Sequence, residues 1–410
     1  MINAHAIARR LPLPAIAAML VIALLLPGGA AAKARAGISK AKAVNAPVAQ
    51  SHGNGNHFQP AQSQGKGKIG KVMTRNLYIG GTEKPVFEIE NFEQFLDATG
   101  ELLNEVVAND FPTRAKGLAQ EILQTKPDLV GLQEVANWQT TPLSPAATPF
   151  NHDYLELLLN ELNKGKGKEG KGKPQYRVVV VQQEFDFEAP ADMNGIAGDG
   201  PGGALADAEI MGRLTVHDVI LARRGAGVRT WNASGDHYES LFSVPIPILG
   251  EPLVIPRGWT ATDAKVRGSD SFRFVNTHLE ASHPVVRLEQ AEELAAGPAM
   301  SSLPVVLVGD LNSDDDTAVG PNTLAYNFLI GAGFANRSTD EPLSCCLDSS
   351  LLAEGAGGSV ADFDHQVDHI LTRDPDVIKL KNSLVTGLEP VNGFWNSDHA
   401  GVFSALWFRN

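Results

Sequence analysis

From residue 69 onward the chain alternates between short apolar runs of strand character and longer stretches with a helical period. Residues 72–78 (VMTRNLY), 128–135 (DLVGLQEV), 176–183 (YRVVVVQQ), 216–224 (VHDVILARR), 259–266 (WTATDAKV), 271–279 (SFRFVNTHL), 304–311 (PVVLVGDL), 367–372 (VDHILT) and 401–408 (GVFSALWF) predict strands. Residues 91–109, 113–125, 151–163, 284–296 and 322–332 predict helices. In 113–125, Pro112 stands near the start, and Ala115, Leu118, Ala119 and Ile122 fall on one face. Only RGSD separates WTATDAKV from SFRFVNTHL, which reads as a hairpin. Hairpins mixed with helical crossovers predict mixed sheets with helices outside.

The first residues depart from this alternation. Arg9 and Arg10 precede an apolar run at 15–26, Pro27 breaks it, and Ala30-Ala31-Ala32 offers a small-residue cleavage site. The run is too short for an ordinary membrane-spanning helix. Residues 1–32 therefore read as a signal peptide, and the product as secreted or periplasmic. Residues 33–68 lack an apolar period and read as a disordered leader. The folded domain is expected over 69–410. With 410 residues, 43% of them hydrophobic, the chain has ample apolar material for a core.

The net charge of -13 argues against passive, sequence-independent binding of nucleic acid, which needs cationic side chains. It leaves room for a nuclease, because a metal ion or a local basic rim can meet the phosphates. One candidate rim is 164–173 (KGKGKEGKGK), although a solvated linker has the same composition. Cys345 and Cys346 are the only cysteines, and being adjacent they build no disulfide framework. Two reduced, partly buried thiols are the default expectation, with a vicinal or intermolecular disulfide open to an exported chain.

Candidate chemistry sits at the strand ends. A carboxylate or amide there must be solvated, paired or bound to something. Asn76 closes the first strand, and Glu134 closes DLVGLQEV, where it is a natural ligand for a hard cation. Asp310 and Asn312 follow the VVLVG run, point the same way in extended backbone, and suit a site for water and a phosphate oxygen. An Asp/Asn turn is the plain alternative. Asp398 and His399 precede the last strand, and His278 ends SFRFVNTH. Both histidines can exchange protons near neutral pH. Asp368 in QVDHIL could fix one imidazole in a single tautomer.

Taken in order, these residues resemble the endonuclease/exonuclease/phosphatase superfamily. The likeness rests on Asn76, the LQE of Glu134, the N-T-H-L of His278, the G-D-x-N of Asp310 and Asn312, Asp368, and the S-D-H of Asp398 and His399. It spans about 69–409. It implies a four-layer α/β sandwich of the DNase I type, with two mixed sheets face to face and helices outside. It implies phosphoric-ester cleavage with Mg²⁺, or Mn²⁺ or Ca²⁺ in its place. Carried over, Glu134 is the principal metal ligand, with Asn76 beside it or on the phosphate. Asp310 and Asn312 orient the attacking water and the phosphate. Asp398 and Asp368 support the metal or His399, which acts as general base or phosphate contact. His278 protonates the leaving oxygen. Arg287 and Gln290 match an R-x-x-Q of the superfamily and either brace the site or form a solvated helix face.

Histidine at 278 and Tyr78 point away from the repair-enzyme branch. The expected substrate is a phosphodiester: nucleic acid first, with a sphingomyelinase-like phospholipid activity as the alternative. For the latter, the apolar, proline-punctuated stretch 241–259 could form a membrane-entering hairpin, though core or edge strands are the plainer reading. The chain is expected to act as a monomer without an obligate protein partner.

Overall fold

The computed structural model describes residues 68–81, 89–164, 175–225, 227–245, 252–266, 268–315, 322–339, 342–353, 358–374 and 376–409. The expected signal peptide, the leader up to 67 and the Lys/Gly run from 165 on lie outside the described residues. In chain order the elements begin with β1 (Lys68–Asn76), α1 (Phe92–Ala108), α2 (Phe111–Thr125), β2 (Leu129–Pro142), β3 (Asn151–Asp153) and α3 (Tyr154–Leu162). Then come β4 (Tyr176–Ala191), β5 (Ile210–Arg223), β6 (Arg229–His237), β7 (Phe242–Val244), β8 (Leu253–Ile255), β9 (Gly258–Lys265) and β10 (Ser271–His278). The rest are α4 (Pro284–Ala296), β11 (Val305–Asp310), α5 (Leu324–Gly331), β12 (Phe334–Asn336), β13 (Asp368–Arg373), β14 (Ile378–Thr386) and β15 (Gly401–Phe408).

Two large sheets result. One runs β14-β15-β1-β2-β5-β4, with β3 on β2, and the other runs β12-β13-β11-β10-β9-β6. Val72, Leu129, Ile220, Phe272, Phe274, Val306, Val308 and Val402 come from both sheets and pack into one buried cluster between them. Helices α2 and α3 cover the outer face of the first sheet through Leu118, Ile122, Leu158 and Leu162, packed with Val130, Leu132 and Leu214. Helices α4 and α5 cover the second through Ala291, Leu294, Ala325 and Leu329. This is the four-layer α/β sandwich expected.

Helix starts follow local chemistry. The Asn91 side chain accepts from Gln94 N to cap α1, and Asp110 accepts from Thr113 N to cap α2. Pro112 lies in the first turn of α2, where its missing N–H costs nothing.

Each sheet contains one parallel pair, β1 with β2 and β10 with β11. Asn76 aligns with Gln133 in the first. In the second, His278 aligns with Asp310, which aligns in turn with Asp368 on β13. The polar strand ends of the sequence are thus neighbours by register. The apolar stretch 241–259 forms the β7–β8 hairpin in its described part, with Val244, Leu253 and Ile255 buried against Phe95, Leu96 and Phe187.

Candidate active site

On the first sheet the site is built around Asn76, which is fully buried. Its Nδ2 donates to Glu134 Oε1 and to Asp310 Oδ2, each at 3.0 Å. Its Oδ1 accepts from Tyr78 N at 2.9 Å, which fixes which end of the amide faces the carboxylates. Glu134 adopts a positive φ of 53° where the pairing with β5 slips between Leu132 and Val135. That bulge re-aims the side chain out of the ladder. Glu134 Oε2 then accepts from Ile79 N at 2.8 Å.

The second sheet supplies an acid between two imidazoles. Asp310 Oδ2 lies 3.5 Å from His278 Nε2 and 3.7 Å from His399 Nε2. Asp310 Oδ1 accepts from Asn312 N at 2.8 Å. Asn312 spends one N–H on Leu279 O at 2.9 Å, leaving its other N–H and Oδ1 for a ligand. Gly309 is required here, since a Cβ on it would collide with Thr277 O. Asp368 Oδ2 lies 2.8 Å from His399 Nδ1 and accepts from Ser344 Oγ at 2.8 Å.

The loop carrying His399 is fastened from behind. Ser397 Oγ donates to Asn76 O at 2.9 Å, and Asn396 Nδ2 donates to Glu121 Oε1 at 2.6 Å. Glu121 also pairs with the buried Arg75 at 3.0 Å. Arg114, fully buried, donates to Asn109 O, Leu77 O, Asn396 O and Tyr78 O at 2.9–3.2 Å.

The structure therefore gathers Asn76, Glu134, His278, Asp310, Asp368 and His399 into one contact network. Asn312 shapes the turn beside it. Asp398 is adjacent but separate: Ser397 Oγ lies 3.3 Å from its Oδ1, and it joins neither the Glu134–His278–Asp310 group nor the Asp310–Asp368–His399 group.

Burial sets the electrostatics. It raises the Glu134 carboxyl and pushes Asp310 and Asp398 each up to about 6. Burial also opposes charge on His399, but Asp368, Asp398 and Asp310 outweigh it and hold the imidazole well above its usual range. His278 goes the other way, depressed well below the usual range by burial, by Arg257 and by His399. Buried carboxylates outnumber the cationic charge that faces them.

That imbalance, with the donor chemistry, is the test of fit for a metal. Glu134, Asp310 and His278 each bring one ligand atom into a group spanning 4.8 Å or less. Two hard carboxylates in partial want of a counter-charge fit a magnesium-class ion. Asn76 stands there as the bridge that holds the two carboxylates together.

Residues that sequence reasoning passed over lie behind His278. Arg257 Nη1 is 3.1 Å from His278 Nδ1, and Arg257 Nε is 3.7 Å from Glu280 Oε2. Burial raises both Asp218 and Glu184 well above the carboxylate range. An aspartate inside the apolar run VHDVIL was the available signal. Arg257, in an ordinary PRG segment, gave none. Arg287 and Gln290 are buried on α4 and brace the turn after His278: Arg287 donates to Glu280 O and Ala281 O, and Gln290 Oε1 accepts from Glu280 N at 2.8 Å. The cysteines, expected as reduced thiols, are joined to each other and lie against His399.

The chain belongs to the endonuclease/exonuclease/phosphatase family, whose model matches residues 103–399. It is thus a phosphoric-ester hydrolase of DNase I-like architecture. No curated protein sequence is significantly similar to it. Among solved structures it is similar to an endonuclease/exonuclease/phosphatase family protein from Bacteroides thetaiotaomicron, at 15% identity over 84% of this chain and 100% of that one, with a TM-score of 0.49. It is also similar to the Bacteroides thetaiotaomicron mannosyl-6-phosphatase (15%, 82% and 99%, TM-score 0.46). A third is D. rerio TDP2 complexed with single-strand DNA product (15%, 82% and 98%, TM-score 0.43). Likenesses this distant carry no argument about substrate.

Proposed function

We propose that this chain is an exported phosphodiesterase that uses a hard divalent cation, Mg²⁺ first and Mn²⁺ or Ca²⁺ in its place, to cut nucleic acid. The observation that carries this reading is Asp310 Oδ2, which faces two imidazoles and shares the Asn76 amide with Glu134. Glu134 and Asp310 would hold the cation, which would supply Lewis-acid polarisation of a phosphoryl oxygen.

The remaining roles fall to the chain's own groups. Asp310, whose Oδ1 accepts from Asn312 N at 2.8 Å, orients the attacking water with Asn312 beside it. His399, held in one tautomer by Asp368, presents Nε2–H to the phosphate and meets the negative charge that builds in the pentacovalent state. Of its two roles expected from sequence, the phosphate contact is the one its environment favours. Arg257 Nη1 lies 3.1 Å from His278 Nδ1 and 3.3 Å from Nε2, and burial with the Arg257 charge disfavours protonation of the ring. In place of the acid that protonates the leaving oxygen, His278 is read as a neutral hydrogen-bonding partner in the site. The imidazolium of His399 is the better-placed proton source.

The lipid alternative is kept in the same test; in the described part of the β7–β8 stretch Val244, Leu253 and Ile255 are buried, while Leu241 and Val254 are exposed. The test is one panel with Mg²⁺ and with EDTA: double-stranded DNA, RNA, sphingomyelin vesicles and a bis-aryl phosphodiester. Mg²⁺-dependent cutting of a nucleic acid is expected. Faster turnover of sphingomyelin would replace the nucleic-acid reading.

A further inference from the structure

The excursion between β4 and β5 carries chemistry that the hydrolytic site does not use. Residues 189–212 hold Asp192, Asp199, Asp207 and Glu209 and no lysine or arginine. The next cation along the chain, Arg213, is paired with Asp186 at 2.6 Å. An acidic surface loop alone is ordinarily just solvated. Glu209 sets this one apart. It stands at the foot of the loop and is 2% exposed. Its backbone is fixed, because Leu143 N and Ser144 N donate to Glu209 O at 2.8 and 3.1 Å. Its side chain turns under the loop, where Oε1 accepts from Met193 N at 3.0 Å. Glu209 Oε2 is buried and has no hydrogen-bond partner.

Asp199 repeats the pattern. Its Oδ2 accepts from Asn194 Nδ2 at 2.9 Å, while its Oδ1 is buried without a partner. Burial raises the Glu209 carboxyl, and the nearby Asp192 and Asp199 charges raise it further. Buried carboxylate oxygens without a donor are costly unless a cation meets them. The other loop acids spend an oxygen on the turn itself. Asp192 Oδ1 accepts from Asn194 N and Gly195 N, and Asp207 Oδ1 accepts from Gly198 N. The backbone adds neutral donors: the carbonyl oxygens of Leu205, Ala206 and Ala208 crowd Gly200, within 2.2–2.8 Å of where a Cβ would stand.

We infer that this loop holds a structural divalent cation of the calcium class, with Glu209 Oε2 and Asp199 Oδ1 as its anionic ligands. The donors on offer are all oxygen, from carboxylates and loop carbonyls. Calcium accepts about six to eight such oxygens in flexible geometry, whereas magnesium keeps its waters and demands a near-ideal octahedron. The site is separate from the hydrolytic one. The β2–β5 ladder runs from Val135, next to Glu134, out to Pro142 opposite Ile210, roughly 24 Å further along the strand. The cation ties Asp199, on the way out of β4, to Glu209, on the way into β5, and so closes the end of the hairpin. That end is fastened to α1, where Asn104 Nδ2 donates to Met193 O at 2.8 Å and Asp192 N donates to Leu96 O at 3.1 Å.

The test uses the full chain, with Ca²⁺ as probe and excess Mg²⁺ to occupy the hydrolytic site. Calorimetry gives the affinity, and hydrogen exchange read by mass spectrometry gives the place. A Kd on the order of 10⁻⁴ M is expected. With Ca²⁺ at about ten times Kd, exchange across 193–208 should slow about 10-fold. This protection should persist in Glu134→Gln and be lost in Glu209→Gln, whose affinity for Ca²⁺ should fall at least about 10-fold. Should Glu209→Gln fold poorly, Asp199→Asn, at a half-buried loop position, serves the same comparison. Neither readout needs a substrate, so the result stands apart from the phosphodiesterase reading. Ca²⁺ binding that leaves 193–208 unprotected would overturn the proposal. So would equal protection of wild type and the loop variants, or no Ca²⁺ binding at all.

Discussion

Asp368 Oδ2 stands 2.8 Å from His399 Nδ1, and the two residues come from opposite sheets. Asp368 opens β13 in register with Asp310, and His399 lies just before β15. The dyad therefore exists only when the sandwich is closed. Asp368→Asn keeps the shape and removes the charge that holds the His399 imidazolium. Steady-state kinetics should show kcat lower by about 10²–10⁴-fold with KM little changed. A raised folded pKa means the protonated form is lost as pH rises through it, so the alkaline limb of kcat should also move to lower pH.

Metal binding should be visible in stability. Burial lifts Asp310 and Asp398 each to about 6 in the metal-free protein, above their unfolded values. A raised folded pKa gives a contribution that is present at low pH and lost as pH rises through about 6. Without cation, the two ionised carboxyls thus burden the fold at pH 7.5, and a dication held by Glu134 and Asp310 relieves the Asp310 share. At pH 5.5 the cation must first displace protons. Thermal unfolding should show a Mg²⁺-induced rise in Tm on the order of 5 °C at pH 7.5, and a clearly smaller one at pH 5.5. His278 titrates in the opposite sense, but it acts with and without Mg²⁺ and largely cancels in the difference. An equal gain at both pH values would contradict the account.

Arg114 is the peg of the first-sheet half of the site. Its guanidinium satisfies four carbonyls and stacks over the Phe111 ring at 4.9 Å. Arg114→Met keeps the volume but orphans those carbonyls. Urea unfolding should show a loss of about 3–5 kcal/mol, the range for removing one member of a buried polar network.

Gly309 tests the strand junction. Its φ of 156° and its approach to Thr277 O leave no room for a methyl group. Gly309→Ala should shift Asp310 and lower kcat at least about 10-fold, with a stability loss of about 1–3 kcal/mol by the same unfolding assay.

Much of this site was legible because its residues violate local rules. Glu134, Asp310 and His278 each end an apolar run, where packing alone gives no reason for a charged or titratable group. The strands with a buried face, such as β11 and β15, were legible for the same reason. Strands β6 and β14 were not. In β14 only Ile378 is buried, and β6 has no buried residue, so neither carries an alternating pattern. Each is held by ladder bonds to a patterned neighbour, β15 or β9. The partners behind His278 were hidden differently. Glu184 and Asp218 come from β4 and β5 and Arg257 from the turn before β9, and only tertiary packing brings them together. The cysteines were visible as a pair, but nothing nearby in the chain indicates that residues 345 and 399 meet.

The most direct measurement is the hydrolysis of double-stranded DNA by wild type and Glu134→Gln, each with Mg²⁺ and with EDTA, alongside calorimetric titration of Mg²⁺. The account predicts Mg²⁺-dependent cutting by wild type, abolition by EDTA, and about 10²–10³-fold loss in Glu134→Gln together with loss of the Mg²⁺ binding heat. Undiminished cutting by Glu134→Gln, or by wild type in EDTA, would contradict it.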